Sequence, residues 1–104
     1  MIIAIAALDK DESSAVSTRG GRAPYFLFFD EKKTLLKSLK NPFAVGGGGA
    51  GVAVAKWLAD EQVSMVVAGK IGDKMQMALE DRGLRYQEQE GGIQEVLHRV
   101  LADQ

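Results

Sequence analysis

Glycine-rich segments with basic side chains nearby are the part of this sequence whose residue types point to chemistry. The segments span residues 19–22, 46–51, 69–72 and 91–92. Glycine lets a ligand approach the main chain closely, and the unpaired backbone N–H groups at a helix start favour an anion. If folding brings the segments together, Arg19, Arg22 and Lys70 would add positive charge to them. The pattern therefore predicts an anion-binding crevice.

Cysteine is absent and histidine occurs once, which removes several classes of site. Without cysteine there is no disulfide scaffold, no thiolate nucleophile, and no zinc or iron–sulfur site built on protein thiolates. The single histidine, His98, lies off the apolar stripe of its predicted helix, so we expect it at the surface and expect no Ser–His–Asp triad. We predict that the chain is not an enzyme and has no catalytic residues.

The other candidate motifs are equally incomplete. Met65, Met75 and Met77 could ligate a soft metal, but Met65 and Met75 fit core positions better. The glycines of segment 46–51 are not followed by Lys-Ser or Lys-Thr, and they lack the βαβ context of a dinucleotide-binding motif. We therefore predict no metal ligand among the side chains.

Length and composition describe one ordinary domain over residues 1–104. The chain is 46% hydrophobic and 26% charged, and its formal net charge is −1, whereas a nucleic-acid-binding domain would usually be basic. The apolar run at residues 1–8 is too short for a signal peptide or a membrane span. The composition favours a cytoplasmic protein that binds neither nucleic acid nor membrane.

Apolar runs and helical stripes predict eight elements in the order β-β-β-α-β-α-β-α. The predicted strands cover residues 2–8, 25–29, 34–39, 63–68 and 84–87, and the helices end near residues 61, 83 and 101. Lysines in 34–39 indicate an edge strand, and Trp57 lies on a buried stripe. Asp73 begins the second helix, with Gln76 as its capping-box partner. The order predicts an α/β fold with a five-stranded mixed sheet flanked by three helices.

This topology places all four glycine segments at one edge of the sheet. Helix starts follow the carboxyl ends of the parallel strands, and the loop of residues 9–24 leaves the same edge. Alternatives remain for each residue type. The glycines of 69–72 and 91–92 could serve only tight turns, and 46–49 could be a linker. Arg19 and Arg22 could pair with Asp9, Asp11 or Glu12.

Several short blocks together carry a family resemblance. They are Val16-Ser17, Gly21-Arg22-Ala23-Pro24-Tyr25-Phe26, Asn41-Pro42, Gly49-Ala50-Gly51, and Val67-Ala68-Gly69 with Gly72. With them the chain resembles the dinitrogenase iron–molybdenum cofactor biosynthesis family, which includes nitrogenase cofactor carrier domains and proteins like the orange protein. The resemblance implies a ribonuclease H-like fold without nuclease activity. It also implies a carrier of an iron–molybdenum cofactor or a molybdenum–copper–sulfide cluster, held without covalent attachment.

The sequence departs from that family at three places. Gly20 stands where members often have Phe, and Asp73-Lys74 stands where many have Pro-Asn. Gly49 or its neighbour stands where many have His. The missing histidine removes a metal ligand from the expected site. An anion cradle of backbone amides does not need one.

Together the residues and the resemblance predict a non-enzymatic carrier of an anionic metal–sulfur cluster. Arginines would neutralise charge, residues 47–51 would donate backbone N–H groups, and two further glycines would shape the floor. The predicted cofactor-binding residues are Arg19, Gly21, Arg22, Gly47, Gly48, Gly49, Ala50, Gly51, Gly69 and Gly72. Cofactor-assembly or recipient proteins would be its partners, and the chain would be a monomer or weak dimer. The alternatives are an interaction module at edge strand 34–39 and a phosphate- or nucleotide-binding regulator.

Overall fold

A computed structural model describes residues 1–103 of the chain. Its five strands form one sheet in the order β3-β2-β1-β4-β5. The strands are β1 (Ile3–Ala7), β2 (Tyr25–Phe29), β3 (Leu35–Lys40), β4 (Met65–Ala68) and β5 (Arg85–Glu88). The helices are α1 (Ala50–Asp60), α2 (Asp73–Asp81) and α3 (Ile93–Ala102). The predicted α/β, ribonuclease H-like fold and its element order are confirmed.

Strand directions follow from the connections. The short turn after Phe29 makes β2 and β3 an antiparallel hairpin, and β2 is also antiparallel to β1. The helical crossovers make β1, β4 and β5 parallel, with Ile5 opposite Val67. The carboxyl ends of β1, β4 and β5 therefore share one edge of the sheet, which we call the upper edge.

The two faces of the sheet are covered by different helices. On one face, α1 and α2 pack over Phe26 and Phe28. The rings of these two residues meet the Trp57 ring edge to face, with centroid distances of 5.8 and 6.3 Å. On the other face, the apolar stripe of α3 packs over Ile5 and Leu27. Burial of both faces explains why β1 and β2 are almost continuously apolar.

Strand β3 is an edge strand, as its lysines predict. Its Lys37 forms an ion pair with Glu61 of the α1 C-terminus and lies 5.3 Å from the centroid of the Phe28 ring. The aliphatic stem of a lysine can cover an aromatic ring while its ammonium group remains in water. Within the part of the chain that the structure describes, no helix is long and apolar enough to cross a membrane.

One local expectation is wrong. The capping box at Asp73 does not form, because the N-cap is Gly72, which has no side chain, and Gln76 is then the fourth helical residue rather than the third. The side-chain amide of Gln76 instead donates to the backbone carbonyl of Ile71 at 2.8 Å. Residues 9–24 form a long loop without a helix or strand, as predicted, and two isolated bridges fix it in place: Val16 pairs with Ala7 and Ala15 pairs with Gly92. Next to the bridges, the amides of the buried residues Val16 and Ser17 donate to the carbonyls of Gly91 and Ala6.

Helices α1 and α2 approach each other through a glycine, which gives a test of the packing. A Cβ atom on Gly51 would lie 2.8 Å from Cβ of Met75, closer than real side chains come. We expect Gly51→Ala to lower the free energy of unfolding by about 1–3 kcal/mol, since overpacking forces the helices apart. Urea denaturation followed by circular dichroism measures the change.

The control is Gly48→Ala, because a Cβ atom there would meet nothing within 4 Å. Stability should be unchanged or slightly raised in this variant, since alanine restricts the unfolded chain. Equal stability of the Gly51→Ala variant and the unmodified protein would show that the two helices are not held at this distance.

Candidate functional site

A cavity of about 480 Å³ opens at the upper edge, between the first turns of α1 and α2 and the loop that carries residues 19–22. It brings together seven of the predicted site residues, namely Arg19, Gly21, Arg22, Gly49, Ala50, Gly51 and Gly72. We call it the main cavity. Three of the four glycine segments contribute to it, although they are far apart in sequence.

The remaining predicted residues lie elsewhere. Gly47 and Gly48 line a smaller adjoining cavity of about 140 Å³, which we call the side cavity. Gly69 lines neither cavity, because its Cα faces the backbone of Thr18, and a Cβ atom there would lie 2.8 Å from Cα of Thr18. Its role in the structure is to let the loop before Arg19 cross the end of β4, where its amide donates to Ser17 at 2.9 Å.

The fourth segment, Gly91 and Gly92, shares the upper edge but not the main cavity. Because α3 covers the opposite face of the sheet, its N-terminus lies away from the starts of α1 and α2. The carbonyl of Gly91 accepts a hydrogen bond from Val16 at 2.9 Å. This segment therefore anchors the 9–24 loop, which corrects the expectation that all four segments form one site.

The lining of the main cavity is electropositive. It contains four basic side chains, those of Arg19, Arg22, Lys70 and Lys74, against one acid, Asp73. The N-termini of α1 and α2 add their partial positive charge. The cavity lining therefore carries more basic than acidic side chains, although the net charge of the whole chain is −1. The arrangement can attract and hold an anion.

Close backbone contacts fix the loop of residues 19–22 against the two helices. The Gly20 amide donates to the carbonyl of Lys70 at 2.9 Å. A Cβ atom on Gly20 would lie 3.2 Å from the Met75 sulfur, and one on Gly21 would lie 3.0 Å from the Gly51 nitrogen. At Gly21 the nearest atoms belong to the backbone of Gly51, so a side chain there would press the loop against α1. At Gly20 one of the closest atoms is the end of the Met75 side chain, which can move.

Asn41 joins the two loops that flank the cavity. It is 3% exposed, and its side-chain amide donates to the carbonyls of Gly21 at 3.1 Å and Ala23 at 2.9 Å. Its side-chain oxygen accepts from the amide of Phe43 at 2.9 Å. One buried side chain therefore sets the position of the loop of residues 19–22, which we call the arginine loop, relative to the glycine segment that follows β3.

The connection between β4 and α2 is held by one side chain from β5, Glu88, and one from α2, Gln76. The amide of buried Ile71 donates to the Glu88 carboxylate at 2.8 Å, and its carbonyl accepts from Gln76. The Tyr86 hydroxyl lies 3.3 Å from the Gln76 side-chain oxygen and donates to the Glu80 carboxylate, which raises the pKa of Tyr86. These contacts place Lys70 and Gly72 at the rim of the main cavity.

Six lining residues are not among the predicted cofactor-binding residues: Gly20, Val52, Lys70, Asp73, Lys74 and Met75. Gly20 and Lys70 nevertheless lie in glycine segments that the sequence placed at this edge. The signal for Lys74 was available, because the first turn of a helix that starts at the upper edge must face the crevice. Met75 is 2% exposed, as its predicted core position requires, yet it also forms part of the cavity wall. A residue that is both core and wall cannot be recognised from periodicity alone.

Two further expectations from the sequence concern His98 and the ion pairs of Arg22. His98 is exposed, as predicted, and its Nδ1 lies 2.9 Å from the Lys33 ammonium nitrogen. Arg22 does not pair with the acids of the 9–24 loop, because its guanidinium donates to the backbone carbonyls of Phe43 and Gly47. Over residues 1–103, no group of three or more His, Cys, Asp and Glu side chains could hold a metal ion. The donors around the cavity fit an anion rather than a bare metal cation.

The chain matches a known family over nearly its whole length. A family model described as dinitrogenase iron-molybdenum cofactor covers residues 1–103. The apo form of the orange protein (ORP) from Desulfovibrio gigas is 27% identical, with a TM-score of 0.90 over 99% of this chain and 88% of that one. The NMR structure of a Thermotoga protein of the DUF35 family is 28% identical, with a TM-score of 0.77 over 98% of this chain and 87% of that one. No curated protein matches the chain.

Asn41 offers a test of how the cavity walls are positioned. We expect Asn41→Ala to lower the free energy of unfolding by about 1–3 kcal/mol, because it leaves the buried carbonyl of Ala23 without its partner. Urea denaturation checks this. Gln94→Ala is the matched control, since Gln94 is exposed and bonds only to Glu12 through its side chain, and its effect should stay within about 0.5 kcal/mol. Equal effects of the two variants would contradict the role of Asn41.

Proposed function

The chain belongs to the dinitrogenase iron–molybdenum cofactor family, and from that premise we propose that it carries an anionic metal–sulfur cluster in the main cavity. Family membership and the likeness to the orange protein support a cofactor-binding or carrier role. The cluster itself is the finer part of the proposal. It would be similar to the iron–molybdenum cofactor or to a molybdenum–copper–sulfide cluster.

The observation that carries the proposal is the basic lining of a cavity in a chain without cysteine. A cluster that brings its own sulfides needs no thiolate from the protein. Its outer sulfides accept hydrogen bonds, and its negative charge is balanced by guanidinium and ammonium groups. The thioether of Met75 and the side chain of Val52 supply an apolar wall, which suits polarisable sulfide better than strongly hydrated oxygen.

Each group of residues has a proposed role. Arg19, Lys70 and Lys74 neutralise the charge of the cluster, and the backbone amides of residues 47–51 donate hydrogen bonds at the start of α1. Gly72 leaves room at the start of α2, where a Cβ atom would meet nothing within 4 Å. Gly69 shapes the floor indirectly, by bringing the arginine loop across β4. No residue is assigned a catalytic role, and binding is non-covalent.

The remaining proposals concern the surroundings of this carrier. It acts in the cytoplasm and exchanges its cluster with assembly or recipient proteins. The same cavity could instead take phosphate or a nucleotide, since both are anions that suit a helix N-terminus. The edge strand β3 exposes 47% of Leu36 and could add a partner strand. A titration with thiometalates separates cluster binding from phosphate or nucleotide binding.

We expect the purified chain, mixed with tetrathiomolybdate and Cu(I), to retain visible charge-transfer bands after gel filtration. The double variant Arg19→Ala/Lys70→Ala should bind the cluster at least about tenfold more weakly, because two charge-assisted contacts are lost. Absorption spectra recorded across a titration give the affinity.

The matched control is Lys32→Ala/Arg85→Ala, which removes the same charge at the opposite end of the sheet. This control should bind as the unmodified protein does. Equal weakening by both variants would mean non-specific charge attraction, and no retained cluster in any protein would refute the carrier function. A nucleotide or phosphate that raises the melting temperature while thiometalates do not would favour the regulator.

A further inference from the structure

Arg22 differs from the other cations of the cavity because its guanidinium is already engaged. One terminal nitrogen donates to the carbonyl of Phe43 at 3.2 Å, and the other donates to the carbonyl of Gly47. The side chain lies between the main and side cavities and lines both. It therefore connects the proposed ligand site with the glycine segment.

The segment that Arg22 contacts has little else to hold it. We define it as the glycine strap, residues 45–48. Val45 is 91% exposed, and a Cβ atom on any of Gly46, Gly47 or Gly48 would meet nothing within 4 Å. Among the hydrogen bonds of the described residues, the bond from Arg22 to Gly47 is the one that reaches the strap.

The two ends of the strap are fixed by other contacts. Before it, the amide of Ala44 donates to the carbonyl of Asn41 at 3.3 Å. After it, the carbonyl of Gly49 accepts from Ala53 at 3.1 Å as α1 begins. Loss of the Arg22 bond would thus free the strap between two firm anchors, without disturbing the sheet or the helix.

We propose that Arg22 is a positioning residue that holds the glycine strap in place, and that an anionic ligand in the main cavity displaces the strap from Arg22. The proposal rests on the proposed function, since it requires an anion in that cavity. A guanidinium gains from an anion a Coulomb attraction that a neutral carbonyl does not offer, and it can bond an anion through two parallel N–H groups. Arg22 therefore turns to the ligand, and the strap carbonyl is released.

Release of the strap changes what the segment offers. In the structure, the Gly47 carbonyl points at a cation, an orientation that would repel a bound anion. Glycine residues tolerate rotation of their peptide units, so the freed strap can turn N–H groups toward the ligand. Arg22 in this way couples entry of the ligand to opening of the segment that covers the side cavity.

The test uses ¹⁵N relaxation of the glycine amides in the full chain, with tetrathiomolybdate as the probe. Without ligand, Arg22→Lys should free the strap, because an ammonium group cannot span two carbonyls as the guanidinium fork does. The order parameters of Gly47 and Gly48 should fall from the range of rigid backbone, about 0.85, to below about 0.6. Gly83, far from the cavity, should not change, and Arg85→Lys is the control variant.

In the unmodified protein, saturating tetrathiomolybdate should shift the Nε–H signal of Arg22 and the carbonyl ¹³C signal of Gly47, because the bond between the two residues is lost. If the probe binds, as absorbance shows, while the Gly47 carbonyl signal stays in place, the displacement is refuted and the carrier function stands. If the probe does not bind, the carrier function and the displacement both fail. Arg22→Lys then decides the positioning role alone, and unchanged order parameters in that variant would refute it.

Discussion

Close contact between backbone segments at the upper edge is the constraint on which the structure of the site depends. The arginine loop touches the start of α1 through Gly21 and Gly51, and α1 touches α2 through Gly51 and Met75. At each contact a side-chain carbon would come within about 3 Å of its neighbour. Because the segments meet without intervening side chains, basic groups from two distant parts of the chain, residues 19–22 and 70–74, reach one cavity.

The electrostatics of the site follow from that packing. Burial of the strands fixes where the helices begin, and the helix N-termini contribute positive potential to the same edge that carries Arg19 and Lys70. Acidic residues of the chain lie mostly elsewhere, with Asp73 as the acid in the cavity lining. A protein that is nearly neutral as a whole can therefore bind an anion, because its basic side chains are concentrated by the topology.

The sequence predicts the fold well because its signals are periodic and local. Alternation and helical stripes identify the strands and α3, and crossover rules then fix the direction of β1, β4 and β5. The site is predicted less completely. Topology places Arg19 and Gly72 at one edge of the sheet. Gly91 lies apart from them because α3 covers the opposite face, and the choice of face depends on tertiary packing. The roles of Asn41 and Arg22 depend on distances across 18 to 25 residues of sequence, which no local pattern encodes.

Under the proposed function, a molybdenum–sulfur anion binds in the main cavity and nowhere else on the chain. The most direct measurement is a crystal structure of the protein with tetrathiomolybdate, using the anomalous scattering of molybdenum to locate the metal. The account predicts one strong anomalous peak between the first turns of α1 and α2, within reach of Arg19 and Lys70. A peak at the β3 edge or at the opposite end of the sheet, with the main cavity empty, would contradict it.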